Sequence, residues 1–283
     1  MLDKNKRLPD WFKITLSTNR QSNRVRNIIH EKKLHTVCSS AACPNQTECW
    51  NAGTATFMIL GNVCTRGCGF CNVPKGRPSC LEDDEPARVA EAVTALHLAY
   101  VVITSVTRDD LPDGGAAVFA ETIRAVRAVE PAIRIEVLIP DFRGSEASLT
   151  TVLDARPDIL NHNLETVPSL YPKVRPQAEY HRSLELLRRA YSRSHVTKSG
   201  LMLGLGEGID DIFAVMEDLR TVGCSILTLG QYLRPGKTHL PVRKYYHPDD
   251  FDSLRKQALV MGFEQVVAGP RVRSSYHAGR YGA

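Results

Sequence analysis

Short runs of β-branched and apolar residues alternate along most of the chain with longer stretches whose apolar residues have helical spacing. The strand-like runs are residues 56–60, 100–104, 133–139, 159–163, 196–203 and 225–230. The helix-like stretches between them are residues 86–98, 115–129, 145–155, 182–191 and 209–222. Strands that alternate with helices in this way are typical of βαβ units and a parallel sheet. The pattern therefore predicts an α/β fold.

Candidate functional side chains follow these strand-like runs, where loops begin. Length alone does not separate a doubly wound sheet from a barrel, but loops at the carboxyl ends of barrel strands line one mouth, so this placement favours a barrel-like sheet. Upstream, Val25, Ile28 and Ile29 fit one face of a helix that packs on the body of the protein. Downstream, residues 249–261 predict another helix and residues 263–268 another strand.

The composition is that of a chain able to bury one large core. Of its 283 residues, 43% are hydrophobic and 24% are charged. The 36 basic and 31 acidic residues give a net charge of +5 and are spread along the chain. This mild excess does not indicate nucleic-acid binding, and it is compatible with an acidic protein partner.

The chain contains eight cysteines, which in a secreted protein would suggest disulfides. The sequence Met1-Leu2-Asp3 begins no apolar signal segment. We therefore expect reduced thiols in a cytoplasmic compartment, available to bind metal. No apolar run approaches the roughly 20 residues that cross a bilayer, so a membrane protein is not expected.

Three of these cysteines, Cys64, Cys68 and Cys71, follow the first strand-like run with the spacing Cys-x3-Cys-x2-Cys. Thiolates this close on one loop can hold three corners of a cuboidal iron–sulfur cluster and leave the fourth iron without a protein ligand. An iron with an open position can bind a reactant. A structural zinc ion normally takes four protein ligands, so the odd number favours an iron–sulfur cluster.

A second triplet, Cys38, Cys43 and Cys49, lies just upstream. Taken alone, these thiols suit either a second cluster or a zinc corner that needs a distant ligand such as Cys80 or Cys224. We expect neither of those two to bind metal, since Cys224 lies in an apolar run and is interpreted as a small buried residue.

The first triplet, with Phe70 before its last thiol, resembles the signature of radical S-adenosylmethionine enzymes. Together with the second triplet and the sequence Arg273-Ser274-Ser275-Tyr276, it closely resembles the lipoyl synthase family, and the resemblance extends from about Leu8 to Gly279. It implies a partial (β/α)6 barrel at residues 54–247. It also implies an N-terminal extension at 1–53 that carries the second triplet and a C-terminal extension at 248–283 that carries the Arg-Ser-Ser-Tyr motif.

The resemblance implies S-adenosylmethionine and two [4Fe–4S] clusters as cofactors. The first triplet would hold the cluster whose open iron binds S-adenosylmethionine and whose electron cleaves it. The resulting 5′-deoxyadenosyl radical can remove hydrogen from an unactivated alkyl chain, which no acid or base side chain can do.

The same resemblance implies that an auxiliary cluster donates sulfur and is dismantled in doing so. Its ligands and catalytic residues would be Cys38, Cys43, Cys49 and, as the fourth ligand, Ser275. Oxygen binds this iron more weakly than thiolate does, which suits a cluster that must come apart. Without the cysteines, Ser274 and Ser275 would be interpreted as a polar turn.

Polar groups after three of the strand-like runs are candidate contacts for S-adenosylmethionine. They are Thr104 and Ser105, Asn163 and Glu165, and Gly204 and Glu207. Hydroxyl and carboxylate groups suit the ammonium and ribose groups of this molecule, and glycine permits close approach of the backbone. A glycine-rich turn after a strand commonly has no ligand. The prediction therefore rests on the fact that all three groups follow strand-like runs.

Two further features have both a structural and a functional interpretation. His162 is expected to be a hydrogen-bonded structural residue rather than a ligand. Arg234, Lys237 and His239, which follow the sixth strand-like run, are either a solvated basic loop or a clamp for an acidic partner.

The implied activity is that of a sulfurtransferase that inserts sulfur at C6 and C8 of an octanoyl group on a lysine of a lipoyl carrier domain. The implied partners are 2-oxoacid dehydrogenase E2 subunits, the glycine cleavage H protein, a flavodoxin or ferredoxin reductant and an iron–sulfur carrier for cluster repair. Neither nucleic acid nor a membrane is expected. Two other classes stay open: a different radical S-adenosylmethionine enzyme that inserts sulfur or methylthio groups, and a non-catalytic zinc or iron–sulfur scaffold.

Overall fold

The computed structural model of the chain describes residues 8–13, 19–52, 54–276 and 278–281. Parts of the predicted terminal extensions therefore lie outside the described residues. The predicted helix near Val25 is present as α1 (Arg20–Glu31). It begins at a reciprocal cap in which the Asn19 side chain accepts from the backbone of Ser22 at 3.0 Å and the Asn19 backbone donates to the Ser22 hydroxyl.

An eight-stranded sheet forms the centre of the molecule. Its strands in chain order are β1 (His35–Thr36), β2 (Thr56–Ile59), β3 (Tyr100–Ser105), β4 (Arg134–Leu138), β5 (Ile159–Asn161), β6 (Val196–Leu203), β7 (Ile226–Gln231) and β8 (Gln265–Gly269). Spatial order follows chain order. Strand β1 is antiparallel to β2, and every pairing from β2 to β8 is parallel. Within the described residues β8 does not pair with β1, so the barrel is open on that side. The predicted α/β fold with a partial barrel is confirmed.

Helices connect the strands, and the longer ones cover the outside of the sheet. After α1 they are α2 (Val37–Ser40), α3 (Gln46–Asn51), α4 (Glu85–Leu96), α5 (Ala116–Val129), α6 (Glu146–Asp154), α7 (Tyr171–Val174), α8 (Tyr180–Ser192), α9 (Ile209–Thr221), α10 (Pro248–Val260) and α11 (Ala278–Tyr281). Single 3-10 turns lie at Asp10–Phe12, Phe142–Gly144 and Pro168–Leu170. None of the helices in the described part of the chain is both long and apolar enough to cross a membrane.

The two faces of the sheet have different roles, because successive strand residues point to opposite sides. On β3, Val101 and Ile103 are fully buried and share one apolar core with Phe119 of α5. Their neighbours Val102 and Thr104 face the interior of the barrel, where they line a cavity. Packing of the helices therefore stabilises the barrel from outside and leaves its inner face for function.

The C-terminal segment completes the sheet and then enters the barrel. Helix α10 and strand β8 confirm the predicted last helix and strand, and β8 continues the parallel sheet beside β7. Residues 270–276 then run across the inner face. A Cβ atom added to Gly230 would lie 2.1 Å from the carbonyl oxygen of Val272, and one added to Gly200 would lie 3.4 Å from Ser274 Oγ. These two glycines make room for the tail.

Candidate active site

Both cysteine triplets face one cavity inside the barrel. The cavity has a volume of about 700 Å³. Its lining includes Cys38, Cys43, Cys49, Cys64, Cys68, Cys71, Ser274 and Ser275. Thiols that are separated by up to 33 positions along the chain are thus brought to one enclosed space.

The loop that carries the first triplet is anchored by its backbone to three neighbouring elements. Thr65 N–H donates to the carbonyl of Thr107, after β3, at 3.0 Å. Gly69 N–H donates to Val174 of α7 at 2.9 Å, and the Gly69 carbonyl accepts from Leu240 N–H, after β7, at 3.0 Å. The backbone between the three cysteines is therefore held by α7 and by the segments after β3 and β7.

Arg66, between the first two thiols, is the main side-chain anchor of this loop. Its guanidinium group donates to Asp109 at 2.6 and 2.9 Å and to Asp141 at 2.7 Å. Arg66 is only 6% exposed and Asp141 only 1%. Although burial opposes ionisation, hydrogen bonding and charge from Arg66 hold the pKa of Asp141 at about 2. The ion pairs link the cysteine loop to the ends of β3 and β4.

Two thiols of the first triplet lie in an environment that favours their neutral form. Burial raises the pKa of Cys68, and it raises the pKa of Cys71 to about 12. Metal binding must therefore release protons from Cys68 and Cys71. The sulfur of Cys64 accepts from two backbone N–H groups, those of Arg66 at 3.4 Å and Thr107 at 3.3 Å.

Arg175 is a functional candidate that the sequence analysis missed. Among the charged groups around Cys68, it opposes the effect of burial on the pKa of that thiol most strongly, ahead of Arg66. Arg175 as a whole is 9% exposed, and its guanidinium group donates to the carbonyls of Asn163 at 2.8 Å and Leu164 at 3.1 Å. Arg175 follows α7 in an irregular segment. The sequence could have indicated its role only through its position downstream of a strand-like run.

The second triplet lies on α2, α3 and the turn between them. Cys43 N–H donates to the carbonyl of Cys38 at 3.0 Å, and Cys49 N–H donates to the carbonyl of Asn45 at 2.9 Å. Burial raises the pKa of the Cys38 thiol, and the nearby backbone of Thr56, at the start of β2, opposes that rise. Burial, reinforced by the two neighbouring thiols, raises the pKa of Cys49 to about 12. The three sulfur atoms are thus close enough to influence each other.

The C-terminal tail packs directly on this second triplet. Asn45 Nδ2 donates to the carbonyl of Arg271 at 2.6 Å, and Tyr276 Oη donates to Glu48 at 2.7 Å. The Ser275 hydroxyl accepts from Thr56 Oγ1 at 2.8 Å. Because Thr56 also contacts Cys38, the predicted fourth ligand lies beside the triplet that it was predicted to complete.

The two serines of the tail have different partners. Ser274 accepts from Asn163 Nδ2 at 2.5 Å, on the side of the cavity formed by β5 and β6. Arg273, just before it, is partly buried and has electrostatic interactions with both Cys43 and Glu165. The tail therefore contacts groups near both triplets.

Four of the predicted S-adenosylmethionine contacts line the cavity: Thr104, Ser105, Asn163 and Glu165. Thr104 donates to the carbonyl of Leu138 at 2.9 Å. Ser105 Oγ and Asn163 Oδ1 are buried and have no hydrogen-bond partner among the described residues. Burial raises the pKa of Glu165, and Arg175 opposes that rise. A polar ligand here would satisfy groups that the protein leaves unpaired.

The other two predicted contacts, Gly204 and Glu207, are not among the residues that line the cavity. The Glu207 carboxylate accepts from the backbone N–H groups of Leu205 at 2.9 Å and Gly206 at 3.0 Å, and also from that of Gly204. Gly204 has φ +102° and Gly206 has φ +126°, conformations that favour glycine. Here the glycine-rich turn is closed by its own carboxylate, a structural role that the sequence pattern did not distinguish from ligand binding.

His162 has the structural role that we expected. Its ring nitrogens contact the carbonyl of Ile139 at 2.8 Å and the hydroxyl of Ser183 at 2.9 Å. Burial lowers the pKa of His162 to about 4. The ring is therefore neutral at pH 7 and holds β5 against α8.

The donor set fits iron–sulfur clusters. Among the described residues, no three His, Cys, Asp or Glu side chains are grouped so as to hold a single metal ion. Thiolates on one tetrahedral zinc lie about 4 Å apart, whereas each iron of a cubane takes its own thiolate and spreads the ligands further. Two all-cysteine triplets around one cavity suit two clusters of the second kind.

The matches to known proteins agree with this geometry. Residues 58–219 match the Radical SAM superfamily. The lipoyl synthase of Shouchella clausii is 57% identical over 276 residues, which cover 96% of this chain and 89% of that protein. The lipoyl synthase of Rubrobacter xylanophilus is 56% identical over 272 residues, with 95% and 85% coverage.

A solved structure shares the fold at low sequence identity. The crystal structure of methylornithine synthase (PylB) superposes with a TM-score of 0.53 at 14% identity, over 90% of this chain and 82% of that chain. At this identity the similarity concerns the barrel alone.

Proposed function

The chain belongs to the lipoyl synthase family of radical S-adenosylmethionine enzymes, and from this we propose that it inserts sulfur at C6 and C8 of a protein-bound octanoyl-lysine. Each insertion would consume one S-adenosylmethionine and release methionine and 5′-deoxyadenosine. The observation that carries the proposal is the single cavity lined by both cysteine triplets. Hydrogen removal and sulfur donation can then act on the same alkyl chain.

Cys64, Cys68 and Cys71 would hold the cluster that binds S-adenosylmethionine. When both are bound, the cluster and S-adenosylmethionine together would supply the 5′-deoxyadenosyl radical that removes hydrogen from an unactivated carbon. The protein's own part is to fix the three thiols through the Arg66 ion pairs and to offer polar groups to the cosubstrate. We propose the unpaired Ser105 hydroxyl and Asn163 amide oxygen as two of those groups, with Thr104 and Glu165 beside them.

Cys38, Cys43, Cys49 and Ser275 would hold the auxiliary cluster, which supplies the sulfur. Support for Ser275 comes from its contact with Thr56, which also contacts Cys38. The tail is held by Asn45 and Glu48 of the same loop. An oxygen ligand on a docked tail can be released without unfolding the barrel.

The wall between the triplets is apolar and suits an octanoyl chain. Its side chains include Met58, Val102, Val106, Leu138, Ile139 and Leu201. Burial of each methylene group of a substrate against such a wall contributes about 0.8 kcal/mol. An acyl chain has no polar group that could form hydrogen bonds, so the hydrophobic effect alone holds it against this wall.

Membership of the family implies an octanoylated carrier protein as the substrate. We propose that the carriers are E2 subunits of 2-oxoacid dehydrogenases and the glycine cleavage H protein, that flavodoxin or ferredoxin is the reductant, and that an iron–sulfur carrier rebuilds the auxiliary cluster. The exposed Arg234 lines the cavity and suits an acidic carrier. The cytoplasm is the compartment that this chemistry needs, because the thiols must stay reduced.

Anaerobic turnover of an octanoyl-lysyl peptide with dithionite and S-adenosylmethionine tests the proposal. We expect monothiolated and then dithiolated peptide by mass spectrometry. The variant Cys43→Ala should still form 5′-deoxyadenosine but no thiolated product, because it removes only an auxiliary ligand. The matched control is Cys80→Ala, which changes an exposed cysteine outside the cavity and should behave as the wild type. Normal thiolation by Cys43→Ala would overturn the assignment of the sulfur donor, and a methylthiolated product would indicate a different radical enzyme.

A further inference from the structure

The inner face of the barrel changes in character from one end to the other. On the side of the barrel where β3 begins, four polar side chains from four adjacent strands meet: Tyr100 of β3, Glu136 of β4, Asn161 of β5 and Lys198 of β6. Closer to the cysteine loops the wall is apolar. This polar layer has no part in the chemistry described above.

The four side chains form one connected network. Glu136 accepts from Lys198 Nζ at 2.9 and 3.0 Å, from Asn161 Nδ2 at 2.9 Å and from Tyr100 Oη at 2.6 Å. Glu136 and Asn161 are completely buried, and Lys198 is 5% exposed. A buried charge pair needs such additional bonds, and it holds its partners in a defined geometry.

Tyr100 is the one member of this network that lines the cavity. Its hydroxyl is directed to Glu136, and burial and the nearby carboxylate raise the pKa of Tyr100, so it remains a donor. Beside it, helix α11 also lines the cavity and comes so close that a Cβ atom added to Gly279 would lie 3.2 Å from the Tyr100 Cβ. The side chain is thus held by a hydrogen bond at its hydroxyl and by α11 at its base, and it lies between the cavity and the buried ion pair.

We propose that Tyr100 forms the end wall of the acyl site and limits the substrate to an eight-carbon chain. This inference rests on the proposed function. The acyl group is joined to a lysine of a folded carrier domain, which stays outside, at the exposed rim marked by Asn72 and Arg234. The methyl end therefore points inward, toward Tyr100.

This wall should make the enzyme prefer octanoyl over longer acyl chains. In the wild type, two additional methylene groups have to displace a ring that is fixed by its hydrogen bond to the buried Glu136. Overpacking of this kind disfavours the longer chain, and we expect at least about tenfold preference for octanoyl over decanoyl peptide. Where room exists, each buried methylene group instead improves binding about fourfold, so two improve it about 15-fold.

Competition between octanoyl-lysyl and decanoyl-lysyl peptides in one anaerobic reaction tests the proposal. We expect Tyr100→Ala to raise the ratio of thiolated decanoyl to thiolated octanoyl product by about 15-fold or more over the wild type. Tyr100→Phe keeps the ring and should leave the ratio within about twofold of the wild type. The ratio does not depend on how much of each protein carries intact clusters, so partial loss of active protein does not affect it.

An unchanged ratio in Tyr100→Ala would overturn the inference. If that variant does not fold, Tyr100→Leu, which shortens the same side chain but keeps it apolar, replaces it, and an unchanged ratio there also overturns the inference. Failure of the wild type to thiolate octanoyl peptide would instead contradict the proposed function, so the two failures are distinguishable.

Discussion

Arg175 shows how a single residue can set the properties of the first triplet. Its buried cation lies near Cys68 and Glu165, while its hydrogen bonds to the carbonyls of Asn163 and Leu164 fix its position. Arg66 is closer in sequence to the thiols, but its charge is already balanced by Asp109 and Asp141. Arg175 is therefore the cation most able to stabilise additional negative charge on a cluster held by Cys68.

Removal of this charge should make such a cluster harder to reduce. We expect Arg175→Met to lower the midpoint potential by roughly 100–200 mV, the order expected for one charge about 4–6 Å away at an effective dielectric constant of about 20. A redox titration followed by electron paramagnetic resonance measures this shift. Arg175→Lys, which keeps the charge but not the forked hydrogen bonds, should shift the potential less. Equal shifts in the two variants would mean that Arg175 acts through packing rather than charge.

At the scale of elements, the C-terminal tail joins parts of the molecule that are distant in sequence. It passes Gly230 and Gly200 on the inner face of the barrel and docks on the loop of the second triplet through Asn45 and Glu48. Its two serines face different partners, Thr56 for Ser275 and Asn163 for Ser274. Tail docking and auxiliary-cluster binding should therefore depend on each other.

The two serines provide a matched pair of variants. We expect Ser275→Ala to form 5′-deoxyadenosine but to lose at least about tenfold in thiolated product, because the auxiliary cluster lacks its fourth ligand. Ser274→Ala should lose only a hydrogen bond from Asn163, with an effect on thiolation of a few-fold. Mass spectrometry and assay of 5′-deoxyadenosine on both variants decide this. The reverse order of effects would assign the ligand role to Ser274.

At the scale of the whole molecule, most of the barrel could be predicted from sequence, because its strands are buried runs separated by helices with clear periodicity. The six parallel strands that were predicted from the pattern, and the last helix and strand, are all present. The course of the tail could not be predicted, since it depends on contacts between residues more than 200 positions apart, such as Asn45 with Arg271. The Tyr100 network and Arg175 were not found either, because their partners lie on other elements of the fold. The bonds of Glu207 to its own turn are local, and the sequence pattern did not distinguish them from ligand binding.

Iron and sulfide analysis of anaerobically purified protein, together with Mössbauer spectroscopy, shows whether two clusters share this cavity. We expect roughly eight iron and eight sulfide ions per chain, all in cubane clusters, and about half of each in a variant with Cys38, Cys43 and Cys49 all changed to alanine. Zinc without sulfide, or only about four iron ions in the wild type, would contradict it.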